Sequence, residues 1–166
     1  GDKSYLDTYK VKTGEDVAQI YIDKYFTSYA GVSKFIKDQK RYAHRNGFVY
    51  TLLKRKRRLP DINSQDYKMV AYCERLAVNS AVQGSAADIT MSAQNRINAE
   101  PWFDDHRVKM LIQVHDELVF ECPEEYVDEC ISRVKALMEH PFGDKVELNL
   151  PLRADADFGS SYQEAK

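Results

Sequence analysis

The spacing of hydrophobic residues near the start of the chain predicts two helices. Apolar side chains recur every three or four residues over 17–25, which is the spacing of one helical face. Thr13, with Asp16 three residues later, is a candidate capping box for this first helix. A second apolar series covers 32–43 and stops at Asn46-Gly47, a pair typical of helix ends. We therefore expect two consecutive helices before the first strand.

The middle of the chain predicts a short hairpin and then a long helix. Residues 48–53 are rich in β-forming side chains and predict a strand, so 54–58 would be the tip or return arm of a hairpin closed by Leu59-Pro60. The spacing is helical over 67–95. The side expected to be buried carries Met69, Val70, Cys73, Leu76, Ala77, Ala81, Gly84, Ala87 and Met91. Small residues over 84–87 would let another backbone approach this helix closely.

The last third of the chain predicts a second hairpin, a helix and a strand. Apolar strands at 108–114 and 118–120 flank a bend at His115-Asp116. A helix is expected over 124–138 and a terminal strand over 147–154. Helices mixed with mostly antiparallel strands in this order predict an α+β fold.

Length and composition exclude several protein classes. The 166 residues are 43% hydrophobic, which is enough for a core. No apolar run approaches the ~18 residues of a membrane span, and residues 1–12 are too polar for a secretory signal. The three cysteines are too few and too badly spaced for a disulfide framework or a zinc site. We therefore expect an intracellular protein of the cytoplasm, nucleoid or a host cell, with no membrane partner.

The net charge of −2 conceals an uneven charge distribution. Residues 34–58 contain ten Lys or Arg and one acid, whereas residues 100–129 contain ten acids and two cations. This asymmetry is what separate sites for a polyanion and a cation would produce. Solvated faces of opposite sign are the alternative.

Two adjacent carboxylates, Asp116 and Glu117, lie between strands that are too apolar to be surface loops. Hard oxygen ligands held rigidly are what Mg²⁺ requires, usually together with substrate phosphates. An ordinary polar hairpin turn is the alternative. One carboxylate pair cannot complete a two-metal site, so at least one further acid must come from elsewhere.

A polar stripe follows one side of the long predicted helix. Arg75, Asn79 and Gln83 are four residues apart and share one face. These side-chain types contact base edges and sugar oxygens in nucleic acids. A solvated helix face is the alternative, although the stripe lacks the Lys and Glu that such faces favour.

Five consecutive cations occupy the first predicted hairpin: Lys54, Arg55, Lys56, Arg57 and Arg58. They repel one another unless a polyanion lies beside them, which favours contact with nucleic-acid phosphates. A targeting signal or a solvated loop is the alternative.

Taken in order, these segments resemble the C-terminal part of family A DNA polymerases, the bacterial DNA polymerase I group. QVHDELVFE at 113–121 is similar to the family's motif C, and ERLAVNSAVQGSAAD at 74–88 is similar to its helix written ER-A-N---QG-AAD. Residues 47–62 resemble the family's basic hairpin segment, and 18–32 resemble helices of its fingers subdomain.

The chain departs from the family pattern in three places. Lys54 stands where the hairpin usually has glycine, and 154–162 differ from the usual C-terminal segment. Motif A, the thumb and the helix that grips the incoming nucleotide all precede this region in the family, and residues 1–13 contain none of them.

The resemblance implies a metal-dependent catalytic role for the carboxylate pair. Asp116 matches the motif C aspartate that bridges two Mg²⁺ ions, and Glu117 matches its less essential acidic neighbour. The implied reaction is nucleotidyl transfer from a dNTP to a primer 3′-hydroxyl.

The resemblance also implies contacts with primer–template DNA. Gln113 and His115 match residues close to the primer terminus. Arg75, Asn79 and Gln83 match residues that line the minor groove and the template side near the new base pair.

At the level of the whole chain, the resemblance implies fingers helices over 1–46 and a palm part with an antiparallel sheet over 47–166. It also implies a second polypeptide that carries motif A, the thumb and the nucleotide-binding helix, and the chain would then be either a naturally split subunit or an excised fragment. We therefore expect the chain to be inactive alone. A non-catalytic nucleic-acid-binding module with the same fold is the alternative. A metal-dependent nuclease is a third possibility, but it lacks its own carboxylate cluster.

Overall fold

The structure, a computed structural model, describes residues 14–146 and 148–165 and has the expected α+β composition. Its α-helices are α1 (Gly14–Ser28), α2 (Ala30–Asn46), α3 (Tyr67–Asn98), α4 (Pro101–Asp105) and α5 (Val127–Glu139). Its strands are β1 (Phe48–Tyr50), β2 (Lys56–Arg58), β3 (Lys109–Val114) and β4 (Glu117–Glu121). Strands β1 and β2 form one two-stranded sheet, and β3 and β4 form another. Short 3₁₀ turns occur at Glu124–Tyr126 and Gly143–Lys145.

The described residues form two compact units. The first contains the residues up to Val49 together with Arg57–Val78, and the second contains Tyr50–Lys56 together with the residues from Asn79 onward. Helix α3 contributes to both units. The predicted division at residue 46 concerns subdomains of a polymerase and stays a prediction.

The core of the first unit lies where α2 ends and α3 begins. Its buried side chains are Ala43, Val49, Leu59, Ile62, Cys73 and Ala77. Helix α2 stops at the predicted place because Gly47 adopts a φ of 73° and donates its N–H to the Ala43 carbonyl. The Gly47 carbonyl in turn accepts the N–H of Leu59 at 2.8 Å. The helix stop therefore also fixes the return of the chain after β2.

A polar network joins α2 to α3 within this first unit. His44 contacts Asn63 at 2.8 Å and Glu74 at 3.0 Å, and Lys40 lies 2.8 Å from the other oxygen of Glu74. Hydrogen bonding to Glu74, and then to Asn63, raises the pKa of His44. Hydrogen bonds from Lys40 and His44 lower the pKa of Glu74. The network therefore favours the charged forms of both groups.

The second unit has a separate apolar core. Ile97, Phe103, Val108, Cys130 and Val134 are buried there, from α3, α4, the start of β3 and α5. All three cysteines of the chain are free thiols. Burial raises the pKa of Cys130 to about 12, so this thiol is a core residue rather than a reactive nucleophile.

Strands β3 and β4 form the predicted second hairpin. They pair antiparallel from Lys109 opposite Glu121 to Val114 opposite Glu117, with an irregularity in the register beside Leu111. The two-residue loop between them is His115-Asp116. The hairpin therefore carries the acidic pair at its bend, as the apolar flanks predicted.

Three local expectations are wrong, and a fourth falls on residues and side chains that the structure does not describe. The strand predicted over 48–53 ends at Tyr50 because the chain turns there to form the hairpin. No strand occurs over 148–154, where the described residues provide no neighbouring strand to complete a ladder. Met69, Ala87 and Met91, which were expected on the buried side of α3, are exposed, whereas Asp88 and Thr90 are buried. The Thr13 and Asp16 capping box lies outside the residues and side chains that the structure describes.

No helix in the described ranges combines the length and the apolar character needed to cross a membrane.

Candidate metal and nucleic-acid site

The bend between β3 and β4 presents both carboxylates to solvent. Asp116 is the second residue of the loop and Glu117 is the first residue of β4, and both side chains are exposed. His115, the first loop residue, has a φ of 55°. Two-residue hairpin loops need positive φ at this position, which glycine or asparagine usually supplies. The bend therefore holds a histidine in a left-handed conformation that costs about 1–2 kcal/mol.

The donor chemistry of this bend suits Mg²⁺, but the number of donors does not complete a site. Asp116 and Glu117 offer hard carboxylate oxygens, the ligands that Mg²⁺ prefers. Within residues 14–146 and 148–165, no three His, Cys, Asp or Glu side chains are grouped so that they could hold a metal ion. Further oxygen ligands for a metal ion at Asp116 would have to come from outside the described residues.

A hydrogen-bonded pair of glutamines lies next to the bend, within the second unit. Gln94 Nε2, on α3, donates to Gln113 Oε1 at 2.8 Å. Gln113 Nε2 donates to the backbone carbonyl of His115 at 3.0 Å. The sequence predicted that Gln113 contacts DNA. It did not identify Gln94 as a candidate functional residue, because the helical spacing did not set Gln94 apart from its neighbours.

The predicted polar stripe is present on α3. Arg75, Asn79 and Gln83 are all exposed, and no hydrogen bond or ion pair to another described residue engages them. Arg75 belongs to the first unit, and Asn79 and Gln83 belong to the second. Their side chains are therefore available to a ligand, and their assignment to DNA stays a prediction.

The basic hairpin, residues 48–58, contains five exposed cations with different surroundings. Lys54, which stands where the resemblance led us to expect glycine, adopts a φ of 64°, a left-handed conformation that glycine adopts more readily. Arg55 donates from Nε to Asp88 at 2.9 Å and from a terminal nitrogen to the Gly84 carbonyl at 3.0 Å. Lys56 lies over the Tyr50 ring, 5.8 Å from its centroid. Arg57 and Arg58 complete the exposed set.

Asp88 fastens the basic hairpin to α3 within the second unit, and we call Thr51, Arg55 and Asp88 the hairpin latch. Asp88 is 5% exposed and accepts the Leu53 N–H at 3.4 Å as well as the Arg55 guanidinium. Burial by itself raises the pKa of Asp88, but hydrogen bonds from Thr51 and Arg55 outweigh burial and leave this pKa below its usual value. The carboxylate is therefore held in its charged form.

Gly84 allows the close approach on which the latch depends. A Cβ at this position would lie 2.6 Å from Cγ2 of Thr51, well inside van der Waals contact. The run of small residues predicted the close approach of another backbone, whereas the nearest atoms here belong to the side chains of Thr51 and Arg55. Asp88 itself was not identified as a structural residue from the sequence.

The family model and the curated relatives that match this chain indicate the same protein family. The sequence model described as DNA polymerase family A matches residues 6–164. DNA polymerase I of Streptococcus pneumoniae serotype 4 (strain ATCC BAA-334 / TIGR4) is 40% identical over 149 residues, which are 90% of this chain and 16% of that protein. DNA polymerase I of Bacillus caldotenax is 38% identical over 146 residues, covering 88% of this chain and 16% of that protein.

A solved structure has the same fold over nearly the whole chain. It is the POL domain of Pol1 from M. smegmatis, in complex with DNA primer-template and dNTP. The TM-score is 0.85 at 30% sequence identity, and the match covers 97% of this chain and 28% of that one. The chain thus spans about a sixth of the length of the two DNA polymerase I proteins described above.

Proposed function

The chain belongs to DNA polymerase family A, and from this membership we propose that it supplies the motif C part of a DNA-directed DNA polymerase. One observation carries the proposal: the segment similar to motif C folds as a tight antiparallel hairpin with Asp116 and Glu117 exposed at its bend. Because both side chains are exposed at the bend, a carboxylate there is accessible to a metal ion and a phosphate. The proposed reaction is DNA synthesis from dNTPs on a primed template.

In this reaction the primer 3′-oxygen attacks the α-phosphorus of the dNTP, the new P–O bond forms, and the bond to the leaving pyrophosphate breaks. Mg²⁺ bound at Asp116 would supply charge neutralisation and a more acidic 3′-hydroxyl. The chain's own contribution is placement, because Asp116 is held at the end of two paired strands rather than on a free loop. Glu117 adds negative charge beside it.

The site needs groups that the described residues do not provide. A metal held by Asp116 would need at least one further carboxylate ligand, and the triphosphate would need cations around it. We propose that motif A, the thumb and the nucleotide-binding helix, which precede this region in the family, supply these groups. The assembled polymerase, meaning this chain together with that upstream part, is then the active form, and the chain alone is inactive.

The proposed DNA contacts are of two kinds, those to bases and sugars and those to phosphates. Arg75, Asn79 and Gln83 offer donors and acceptors that suit base edges and sugars, and Gln113 and His115 lie beside the carboxylate bend. The exposed cations of the basic hairpin suit phosphates, whose contacts add affinity without sequence information. Arg55 is the exception in the hairpin, because its guanidinium is already engaged by Asp88.

Replacing Lys54, Arg57 and Arg58 together with Ser should weaken binding to primer–template DNA about equally for all sequences. Arg55 and Lys56 are left in place because they contact Asp88 and Tyr50. The measurement is fluorescence anisotropy over a salt range of about 50 to 200 mM. The slope of log affinity against log salt should shrink by about 0.9 for each phosphate that the variant no longer neutralises.

The matched control removes three cations outside the basic segment, Lys68, Lys109 and Arg153, by the same change to Ser. This control should alter the salt slope less than the hairpin variant does. Equal slopes for the two variants would show that the hairpin acts only through net charge and has no specific contact with DNA.

A further inference from the structure

A relay of two side-chain amides connects α3 to the loop that carries Asp116. The Gln94 amide donates to the Gln113 oxygen at 2.8 Å, and the Gln113 amide nitrogen donates to the His115 carbonyl at 3.0 Å. His115 directly precedes Asp116, so the last acceptor of the relay belongs to the peptide bond that leads into the carboxylate residue. All four residues lie in the second unit.

The direction of this relay follows from donor and acceptor chemistry. A glutamine amide has an oxygen that only accepts and a nitrogen that only donates. When Gln94 donates to Gln113 Oε1, the Gln113 nitrogen is left facing the His115 carbonyl, which needs a donor. If residue 94 offered only an acceptor, it would attract the Gln113 nitrogen, and Gln113 would turn over and present its oxygen to that carbonyl, which would be repulsive.

The loop that carries Asp116 has an unfavourable backbone conformation, which the hydrogen bond from Gln113 can help to stabilise. His115 adopts a φ of 55°, a left-handed conformation that is unfavourable for a residue with a Cβ. A hydrogen bond to its carbonyl favours one orientation of the peptide bond into Asp116. Gln94 is half-buried and Gln113 is exposed, so water can replace their bonds, and the relay adds little to the free energy of unfolding.

We propose that Gln94 is a positioning residue for Asp116, acting through Gln113 and the His115 carbonyl. The inference rests on the proposed polymerase function for its consequence, since the orientation of Asp116 matters only if that carboxylate takes part in nucleotide incorporation. Gln94 itself touches neither Asp116 nor Glu117 in the structure, and its role is to set the polarity of the relay.

Three substitutions of Gln94 distinguish the proposed positioning role from a role in packing alone. Gln94→Lys keeps a donor at the position, Gln94→Glu leaves only acceptors, and Gln94→Met keeps the length without a polar group. In the assembled polymerase, Gln94→Glu should lower the maximal rate of incorporation about 10-fold, because small displacements of a reacting group are costly. Gln94→Met removes the donor without adding a competing acceptor and should lower the rate by a smaller factor. KM for the dNTP should stay within about 2-fold, and Gln94→Lys should restore the rate to within about 2-fold of wild type.

A matched control tests whether the negative charge added in Gln94→Glu is by itself the cause of the lower rate. Asn95→Asp makes the same amide-to-carboxylate change at the next, exposed residue of α3, and it should leave the rate close to wild type. Equal rates for Gln94→Lys and Gln94→Glu, or a loss in Asn95→Asp as large as in Gln94→Glu, would overturn the proposal.

A second measurement uses the 166-residue chain alone and requires no activity. In NMR spectra of the ¹⁵N-labelled chain, the side-chain amide signals of Gln113 should move in Gln94→Glu and Gln94→Met and stay near the wild-type position in Gln94→Lys. Unchanged Gln113 signals in all three variants would refute the relay. If the wild-type assembly fails to extend primers, the proposed function is wrong, and these spectra still decide whether Gln94 orients Gln113.

Discussion

Asp116→Asn should abolish nucleotide incorporation by the assembled polymerase and leave its affinity for primer–template DNA nearly unchanged. The substitution preserves the size of the side chain and removes the negative charge at the end of the β3–β4 hairpin. Because the carboxylate is exposed, the change should not disturb the fold. Loss of a metal position should lower the rate at least ~10³-fold, which corresponds to about 4 kcal/mol of transition-state stabilisation.

Glu117→Gln is the matched control for this prediction, since it neutralises the adjacent carboxylate on the same bend. It should lower the rate much less than Asp116→Asn, because the resemblance to motif C implies that Glu117 is the less essential member of the pair. Single-turnover incorporation at saturating DNA is the measurement. Near wild-type incorporation by Asp116→Asn, or an equal loss in both variants, would contradict the assignment of Asp116 as the metal ligand.

Asp88→Ala should have the largest effect on stability, because it removes the acceptor of the hairpin latch. The Leu53 N–H and the Arg55 guanidinium both lose their carboxylate partner in a place that is 5% exposed. Hydrogen bonds to charged groups contribute about 1.5–3 kcal/mol each, and Arg55 can recover part of this loss by hydration. We expect a decrease of about 2–3 kcal/mol in the free energy of unfolding, measured by urea denaturation.

The same latch predicts a dependence on pH. The pKa of Asp88 is lower in the folded chain than its usual value of about 3.9. Its charge therefore stabilises the fold above about pH 4, and this contribution is lost as the pH falls through the lower folded pKa. Asp88→Asn should remove this part of the acid sensitivity. Asp105→Ala, at an exposed acid of the same unit, should change stability little, and an equal effect of the two alanine variants would contradict the latch.

Much of the fold could be predicted because the local signals were strong. Gly47 stops α2 where the Asn46-Gly47 pair indicated, and the apolar flanks of His115-Asp116 form the expected hairpin. The long helix also forms, and it extends three residues beyond the predicted end to Asn98. Each of these features depends on residues close together in sequence.

The features that escaped prediction depend on distant residues. Asp88 follows Arg55 by 33 residues and Gln113 follows Gln94 by 19, so no periodic pattern could pair them. The strand expected over 147–154 was predicted from local residues, but no strand forms over 148–154. Its sequence favours a strand, but a ladder needs a neighbouring strand, and the described residues contain none beside 148–154.

Lys54 lies where the resemblance led us to expect glycine. Its φ of 64° is in the left-handed region that favours glycine. The bonds of Arg55 to Asp88 and Gly84 hold the chain immediately after the turn, which offsets the cost of the left-handed lysine. Sequence alone could identify the departure but not its compensation.

Primer extension tests the central claim most directly. It should be measured with the purified chain, with the upstream polymerase part, and with both combined, in the presence of Mg²⁺. We expect extension only from the combination, and we expect it to disappear when the chain carries Asp116→Asn. Binding of DNA without extension by the combination would favour a non-catalytic nucleic-acid-binding module. Extension by the purified chain alone, free of contaminating polymerase and still lost in Asp116→Asn, would contradict a site divided between this chain and an upstream part.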